Sequence, residues 1–163
     1  MNSNIPDGET IVVAETGIGR FQAEVRVGNT AFLVDEPVAS GGLGTGPNPY
    51  NLLSAALGAC KSMTIRLYAT RKNWPLQRVR VAVRHSRADL QAKDVFDVDV
   101  TLEGPLDDAQ KARLLEIAER CPVHMTLTRG ADVRTNLLPA STAPDKPVDS
   151  PAHRDCMEES CAD

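Results

Sequence analysis

The chain opens with short alternations of apolar and polar residues. Residues 9–15 (ETIVVAE), 20–27 (RFQAEVRV) and 30–35 (TAFLVD) read as strands, with turns at Gly17–Gly19 and Gly28–Asn29 between them. The Gly-Asn pair is a hairpin signal. Residues 37–49, PVASGGLGTGPNP, are too rich in glycine and proline for regular structure. A loop of this kind beside a long buried element is a common seat of function.

After Pro49 the pattern changes. Residues 50–72, YNLLSAALGACKSMTIRLYATRK, predict one long helix, with proline suiting its first turn and bases gathered at its far end. Between Leu52 and Cys60 only Ser54 and Gly58 interrupt the apolar residues, so this half is expected to be buried on most faces. Ala55, Ala56, Gly58 and Ala59 are small enough for another backbone to approach closely. Beyond that point the helix turns amphipathic, with Met63, Leu67 and Tyr68 expected inward and Lys61, Arg66 and Arg71 outward.

Residues 78–87 (RVRVAVRHSR) alternate basic with apolar, and residues 95–103 (VFDVDVTLE) alternate acidic with apolar. Each has the period of a strand with one wet face. Paired through a turn near Leu90–Lys93, they would set basic side chains against acidic ones. Asp107 is positioned to cap a helix over 108–120, which Cys121–Pro122 then breaks. VHMTL continues as a helical turn, and 130–136 (GADVRTN) reads as a last short strand. Residues 139–163 hold four of the eleven prolines and almost nothing apolar, so they are expected to form a flexible acidic tail on a domain spanning 1–138.

With 163 residues, 42% of them hydrophobic and 25% charged, the chain has the composition of one soluble globular domain. No apolar stretch approaches the roughly 20 residues that cross a bilayer, which argues against a membrane span. MNSNIPDGET lacks the basic and apolar regions of a secretory signal, so the cytoplasm is the expected location. The net charge of −4 resides in the tail, where Asp145, Asp149, Asp155, Glu158, Glu159 and Asp163 face only Lys146 and Arg154. The body is neutral and has few aromatic rings, which argues against nucleic-acid binding. GGLGTG, 41–46, follows no clear strand and matches no phosphate-cradling spacing.

Four cysteines without an export signal point to free, reactive or metal-binding thiols before a disulfide framework. Cys60 and Cys121 are either small core hydrophobes or a thiol pair that meets in space. Peroxide chemistry needs such a pair: one thiolate becomes a sulfenic acid, and the second thiol condenses with it before over-oxidation.

NPYNLLSAALGACKSMTIRLYATRKNWPL, followed some sixty residues later by LLEIAERCPVHMTL, resembles the OsmC/Ohr family of osmotically inducible and organic hydroperoxide resistance proteins. DEPVASGGLGTGP is similar to the loop of one OsmC-like branch. The resemblance spans about residues 17–137. It implies an α+β fold, OsmC-like, in which curved antiparallel sheets wrap around two long central helices in an intertwined homodimer. It also implies a thiol-dependent peroxidase reducing organic hydroperoxides, with Cys60 as peroxidatic and Cys121 as resolving cysteine at the subunit interface. No bound cofactor is implied; an external dithiol, by analogy a lipoyl protein, returns the electrons. Leu53, Leu57 and Met63 near Cys60 would suit a greasy substrate or else belong simply to the core.

The family activates its first thiol with an arginine oriented by a glutamate, which is sound chemistry because a cation stabilises a thiolate. That glutamate follows the proline ahead of the cysteine, but here Pro49 is followed by Tyr50–Asn51. Glu36 is the nearest substitute, then Asp35; Arg20 is the arginine candidate, then Arg26. The alternative is an OsmC-fold thiol redox sensor, or a ligand-binding dimer with inert cysteines. His124 is near enough in sequence to bond at the site, while His85 lies on a basic strand. In the tail, His153, Cys156 and Cys161 with Glu158 and Glu159 are loosely compatible with a metal but form no paired motif. Those two thiols are expected to pair or stay free, and no metal site is assigned.

Overall fold

A computed structural model describes residues 10–144, 146–148 and 152–162. The N-terminal residues 1–9 and the tail acids Asp145, Asp149 and Asp163 lie outside the described residues. The chain divides into two units, one formed by Met1–Asn51 with Val133–Ala152, the other by Leu52–Asp132 with His153–Asp163.

The first unit holds an antiparallel sheet of three strands, β1 (Val12–Glu15), β2 (Ala23–Val27) and β3 (Thr30–Val34), in the order β1-β2-β3. The Gly-Asn turn joins β2 to β3, pairing Val27 with Thr30. Beyond β3, the Gly-rich loop is gathered by one buried carboxylate. Asp35 accepts from the backbone N–H of Glu36 at 2.8 Å and of Leu43 at 3.0 Å, and from the Thr45 hydroxyl at 3.0 Å. Burial works to raise the Asp35 carboxyl, but the Thr45 and backbone donors outweigh it and hold the group below the usual range. Glycine is required at position 42, where a Cβ would run into the Glu36 carbonyl.

The second unit is built on α1 (Pro49–Arg71), whose first three residues belong to the first unit. β4 (Arg78–Ser86) and β5 (Val95–Glu103) pair antiparallel, with Arg84 opposite Asp97 and Arg78 opposite Glu103. The strand alternation puts Val79, Val81 and Val83 on one face with Phe96, Val98, Val100 and Leu102, all half-buried. The other face carries the charges, and Arg84 reaches diagonally to Asp99 at 2.6 Å. Asp107 caps α2 (Asp108–Ala118) through a reciprocal capping box with Gln110. α3 (Pro122–Arg129) follows, and α4 (Ala152–Ser160) ends the unit.

Ile65, Tyr68 and Ala69 of α1 pack with Leu114, Ile117 and Ala118 of α2, and with Leu76, Leu106 and Cys161, as one core cluster. Leu57, Cys60 and Cys121 form a second, smaller cluster against Val83, Phe96 and Val98. Fully burying a leucine or isoleucine contributes about 1.5–3 kcal/mol, so the first cluster is what fixes α2 on α1.

Three features depart from the expected pattern. Residues 130–136 form no strand; Gly130 ends α3 at a φ of 80°, and Val133 beyond it is 86% exposed. On α1, Lys61 turns inward and Met63 outward, because the buried stripe runs through Leu57, Cys60, Lys61, Thr64, Ile65 and Tyr68. The tail expected as flexible contains α4, with Cys161 buried just beyond its end.

Candidate active site

Cys60 lies in the middle of α1, on the face that meets the β4–β5 sheet, and is 1% exposed. Cys121 is the N-cap of α3 and Pro122 occupies its first position, where a missing N–H costs nothing. The Cys-Pro step that breaks α2 is therefore also the start of the next helix. Both sulfurs draw on the free N–H groups of that first turn. Val123 N–H donates to Cys60 Sγ at 3.4 Å, and His124 N–H donates to Cys121 Sγ at 3.4 Å. A helix N-terminus favours negative charge in this position.

The two thiols are hydrogen-bonded to each other, and this asymmetric contact separates their acidities. The Cys121 thiol donates to Cys60, which outweighs burial; with the Val123 N–H and the hydrogen bond and charge of His153, it lowers Cys60 from 9.0 to about 5. Cys121 moves the opposite way, raised by its bond to Cys60 and by burial. The pair is thus one thiolate and one thiol: a nucleophile beside a sulfur that still carries its proton.

A second network lies beside it. Lys61 is 2% exposed, yet its Nζ donates to the Ala118 carbonyl at 3.0 Å and to Glu119 Oε1 at 2.8 Å, and lies 3.2 Å from His124 Nδ1. His124 Nε2 is 3.4 Å from Glu119 Oε2. His124 thus touches the Cys121 turn through its backbone and Lys61 through its ring.

Of the residues singled out in the sequence, Cys60 and Cys121 meet. Arg20 and Glu36 belong to the first unit: the Arg20 guanidinium lies over the Phe21 ring, 5.8 Å from its centroid, and the Glu36 N–H bonds Asp35. Arg26 pairs with Glu24 at 2.6 Å. Leu57 packs against Cys60, while Leu53 and Met63 are 42% and 53% exposed. His85 Nε2 is 2.7 Å from Asp94 Oδ1. The donors of the tail diverge: His153 Nε2 lies 3.3 Å from Cys60 Sγ, Cys161 Sγ faces the Thr64 carbonyl at 3.7 Å, and Cys156 is exposed. Among the described residues no cluster of histidine, cysteine and carboxylate groups has the makings of a metal site.

The sequence placed Lys61 on the outer face and His153 among the tail donors, and showed neither as a spatial neighbour of the thiols. A lysine next to a cysteine on an amphipathic helix looks like surface, and nothing in PAHRDCMEESCAD marks His153 as reaching Cys60 some ninety residues away.

A shallow groove of about 230 Å³ opens beside this cluster, lined by Ser54, Ala55, Gly58, Ala59, Val81 and Val83. Gly58 forms part of its floor; a Cβ there would stand 3.4 Å from Val83.

The family model for OsmC-like protein matches residues 42–136, more than half the chain, and the chain belongs to that family. No curated protein matches it. Solved structures share its α+β fold. An OsmC-like protein from Mycoplasma pneumoniae superposes with a TM-score of 0.64 at 17% identity, covering 76% of this chain and 89% of that one. An organic hydroperoxide resistance protein OsmC, a predicted redox protein from Legionella pneumophila, gives 0.57 at 22% identity over 73% and 88%. The organic hydroperoxide resistance protein OhrB of Bacillus subtilis gives 0.53 at 22% identity over 75% and 90%. Among the described residues no helix is long and apolar enough to cross a membrane.

Proposed function

We propose that this OsmC-like protein is a thiol-dependent peroxidase that reduces organic hydroperoxides as part of oxidative-stress defence. Membership of a family that includes proteins named for hydroperoxide resistance supports the redox role. The observation that carries the mechanism is the meeting of Cys60 and Cys121 in one buried cluster, each sulfur accepting from an N–H of the first turn of α3; the bond between them lowers Cys60 and raises Cys121.

The Cys60 thiolate attacks the distal oxygen of the hydroperoxide. An S–O bond forms, the O–O bond breaks, and the alkoxide takes up a proton and departs as alcohol. The Cys121 thiol then attacks the sulfenic sulfur; an S–S bond forms, the S–O bond breaks, and the hydroxyl leaves with the Cys121 proton as water. An external dithiol reduces the disulfide through a mixed disulfide, so no bound cofactor is required. A lipoyl protein fits that role by family resemblance. The groove beside Cys60, with alanine and valine side chains in its lining, has room for a hydrocarbon substituent that hydrogen peroxide lacks.

The working form is a homodimer. Leu53, Ala56, Ala59 and Met63 make an exposed apolar stripe on α1, and Val25 is the only buried hydrophobic side chain of the first unit among the described residues, so that its sheet has little core of its own. A second copy of the chain would cover the stripe and supply the sheet with apolar contacts. The reducing cytoplasm keeps such thiols free.

The second reading, a thiol sensor or ligand-binding dimer without turnover, is favoured by Tyr50–Asn51 standing where the family places its glutamate. Stopped-flow consumption of cumene hydroperoxide with excess dithiol separates the two. Saturable turnover, abolished by Cys60→Ser, is expected; no turnover, with disulfide formed only once, supports the sensor.

A further inference from the structure

The C-terminal helix brings a side chain to the reactive sulfur. His153 Nε2 stands 3.3 Å from Cys60 Sγ, while the other end of the helix is held independently. There the Arg71 guanidinium donates to the carbonyls of Glu158 at 3.2 Å and Cys161 at 3.1 Å. Cys161 itself is buried in the α1–α2 core, and burial pushes its thiol up, which keeps it protonated and unreactive. A helix pinned by its last turn thus presents its first turn to Cys60.

We propose that His153 is a catalytic residue of the Cys60 site, the cation that holds the thiolate and the acid that returns its proton to the departing alkoxide. In the resting site the proton leaves Cys60 Sγ and is held at His153 Nε2. When the O–O bond breaks, the alkoxide takes that proton and leaves as alcohol, and His153 is left neutral. Resolution by Cys121 releases water with the proton of Cys121, so the cycle balances without a further donor.

No arginine need serve this purpose, which accords with a Pro49 that no glutamate follows. The other charged and titratable groups around Cys60 are engaged elsewhere. Lys61 is bonded to Ala118 and Glu119, His124 contacts Lys61 and Glu119, His85 is paired with Asp94, and Arg154 bonds Asp155 on α4. Cys121 remains as the thiol donor to Cys60. The sheet residues against the thiols, Val83, Phe96 and Val98, carry no charge.

The alkoxide-protonation step rests on the peroxidase reading, but the thiolate-holding step does not, and the test separates them. The ultraviolet absorbance of the thiolate is titrated in a Cys156→Ser chain with and without His153→Gln. The titration is expected to move up by about one pH unit, as losing an adjacent cation does. At the parent midpoint, about pH 5, the thiolate should then fall about fivefold, and hydroperoxide turnover should fall by more than that, because the acid for the alkoxide is lost as well. His153 is exposed, so its replacement leaves no void. Arg71→Ala, which frees the far end of α4 without touching either thiol, is expected to move the titration the same way by a smaller amount. A titration unmoved in both variants overturns the proposal. A titration that moves in a protein that never consumes hydroperoxide keeps the His153–Cys60 pair and sinks the peroxidase reading instead.

Discussion

The ammonium of Lys61, one residue past the Cys60 thiol, ends 2.8 Å from Glu119 Oε1, although the lysine side chain is 2% exposed and the glutamate 64%. A buried cation thus reaches out to a wet carboxylate and, on the way, satisfies the last carbonyl of α2 at Ala118. This ties the α1 turn that carries Cys60 to the residues just ahead of Cys121.

Replacing Lys61 by methionine should fill the volume but take the short 3.0 Å donor from the Ala118 carbonyl, leaving it only the Cys121 N–H at 3.4 Å. The expected cost is about 1–3 kcal/mol, read as a lower urea midpoint. Glu119 also acquires a pH signature: burial works to raise its carboxyl, but the Lys61 bond and charge, helped by His124, hold it below 4.5. A depressed carboxyl stabilises the fold above its unfolded value, and that stabilisation is lost as pH falls through the folded value. Lys61→Met should therefore flatten the acid limb of the stability profile, and an unchanged limb would refute the link.

Acidity of Cys60 predicts how reaction rate depends on pH. An ordinary thiol of this kind titrates at 9.0, whereas Cys60 is lowered to about 5. Oxidation of Cys60 by cumene hydroperoxide should be flat through neutrality and fall to half its plateau near pH 5. The same shift makes the Cys60 contribution to stability present at alkaline pH and lost on acidification. Removing the donor with Cys121→Ala should move the rate midpoint upward, because the Cys121 hydrogen bond is the largest cause of the shift.

The groove at Gly58 offers a test of substrate choice. A leucine there would occupy the space between Ala55, Ala59 and Val83. Gly58→Leu is expected to raise KM for cumene hydroperoxide about tenfold or more, the scale of losing one or two buried methylene contacts. The slower reaction with hydrogen peroxide should be affected much less. Equal losses for both would mean that the groove does not bind substrate.

Association should depend on the exposed stripe of α1. Met63→Glu places a charge on a face that otherwise presents Leu53, Ala56 and Ala59. Sedimentation velocity is expected to show a dimer for the parent chain and a monomer for the variant. A parent chain that sediments as a monomer would refute the dimer.

How far the sequence was legible follows from which rule each residue obeys. β5 is found at Val95–Glu103 and α1 at Pro49–Arg71, as alternation and helix-forming residues require. Asp107 caps α2 because aspartate before a helical run satisfies free N–H groups. The inward turn of Lys61 contradicts the usual habit of lysine, and it became legible only once Ala118, Glu119 and His124 were seen around its Nζ. GADVRTN has a strand's composition, but pairing is a non-local matter and, among the described residues, no strand pairs with it. The two thiols were marked by the resemblance of their surrounding motifs to the OsmC/Ohr family; by burial alone they read equally well as core. His153 read only as a loose tail donor, because its contact with Cys60 is set by the anchoring of Cys161 and Arg71 at the other end of α4.

The central claim is that Cys60 and Cys121 exchange an oxidised sulfur. The most direct measurement treats the reduced protein with one equivalent of cumene hydroperoxide, blocks free thiols and maps the cysteines by mass spectrometry. The expected product is a Cys60–Cys121 disulfide within one chain, with a trappable sulfenic acid on Cys60 in the Cys121→Ser variant. Recovery of both cysteines as free thiols, with the hydroperoxide unconsumed, would contradict it.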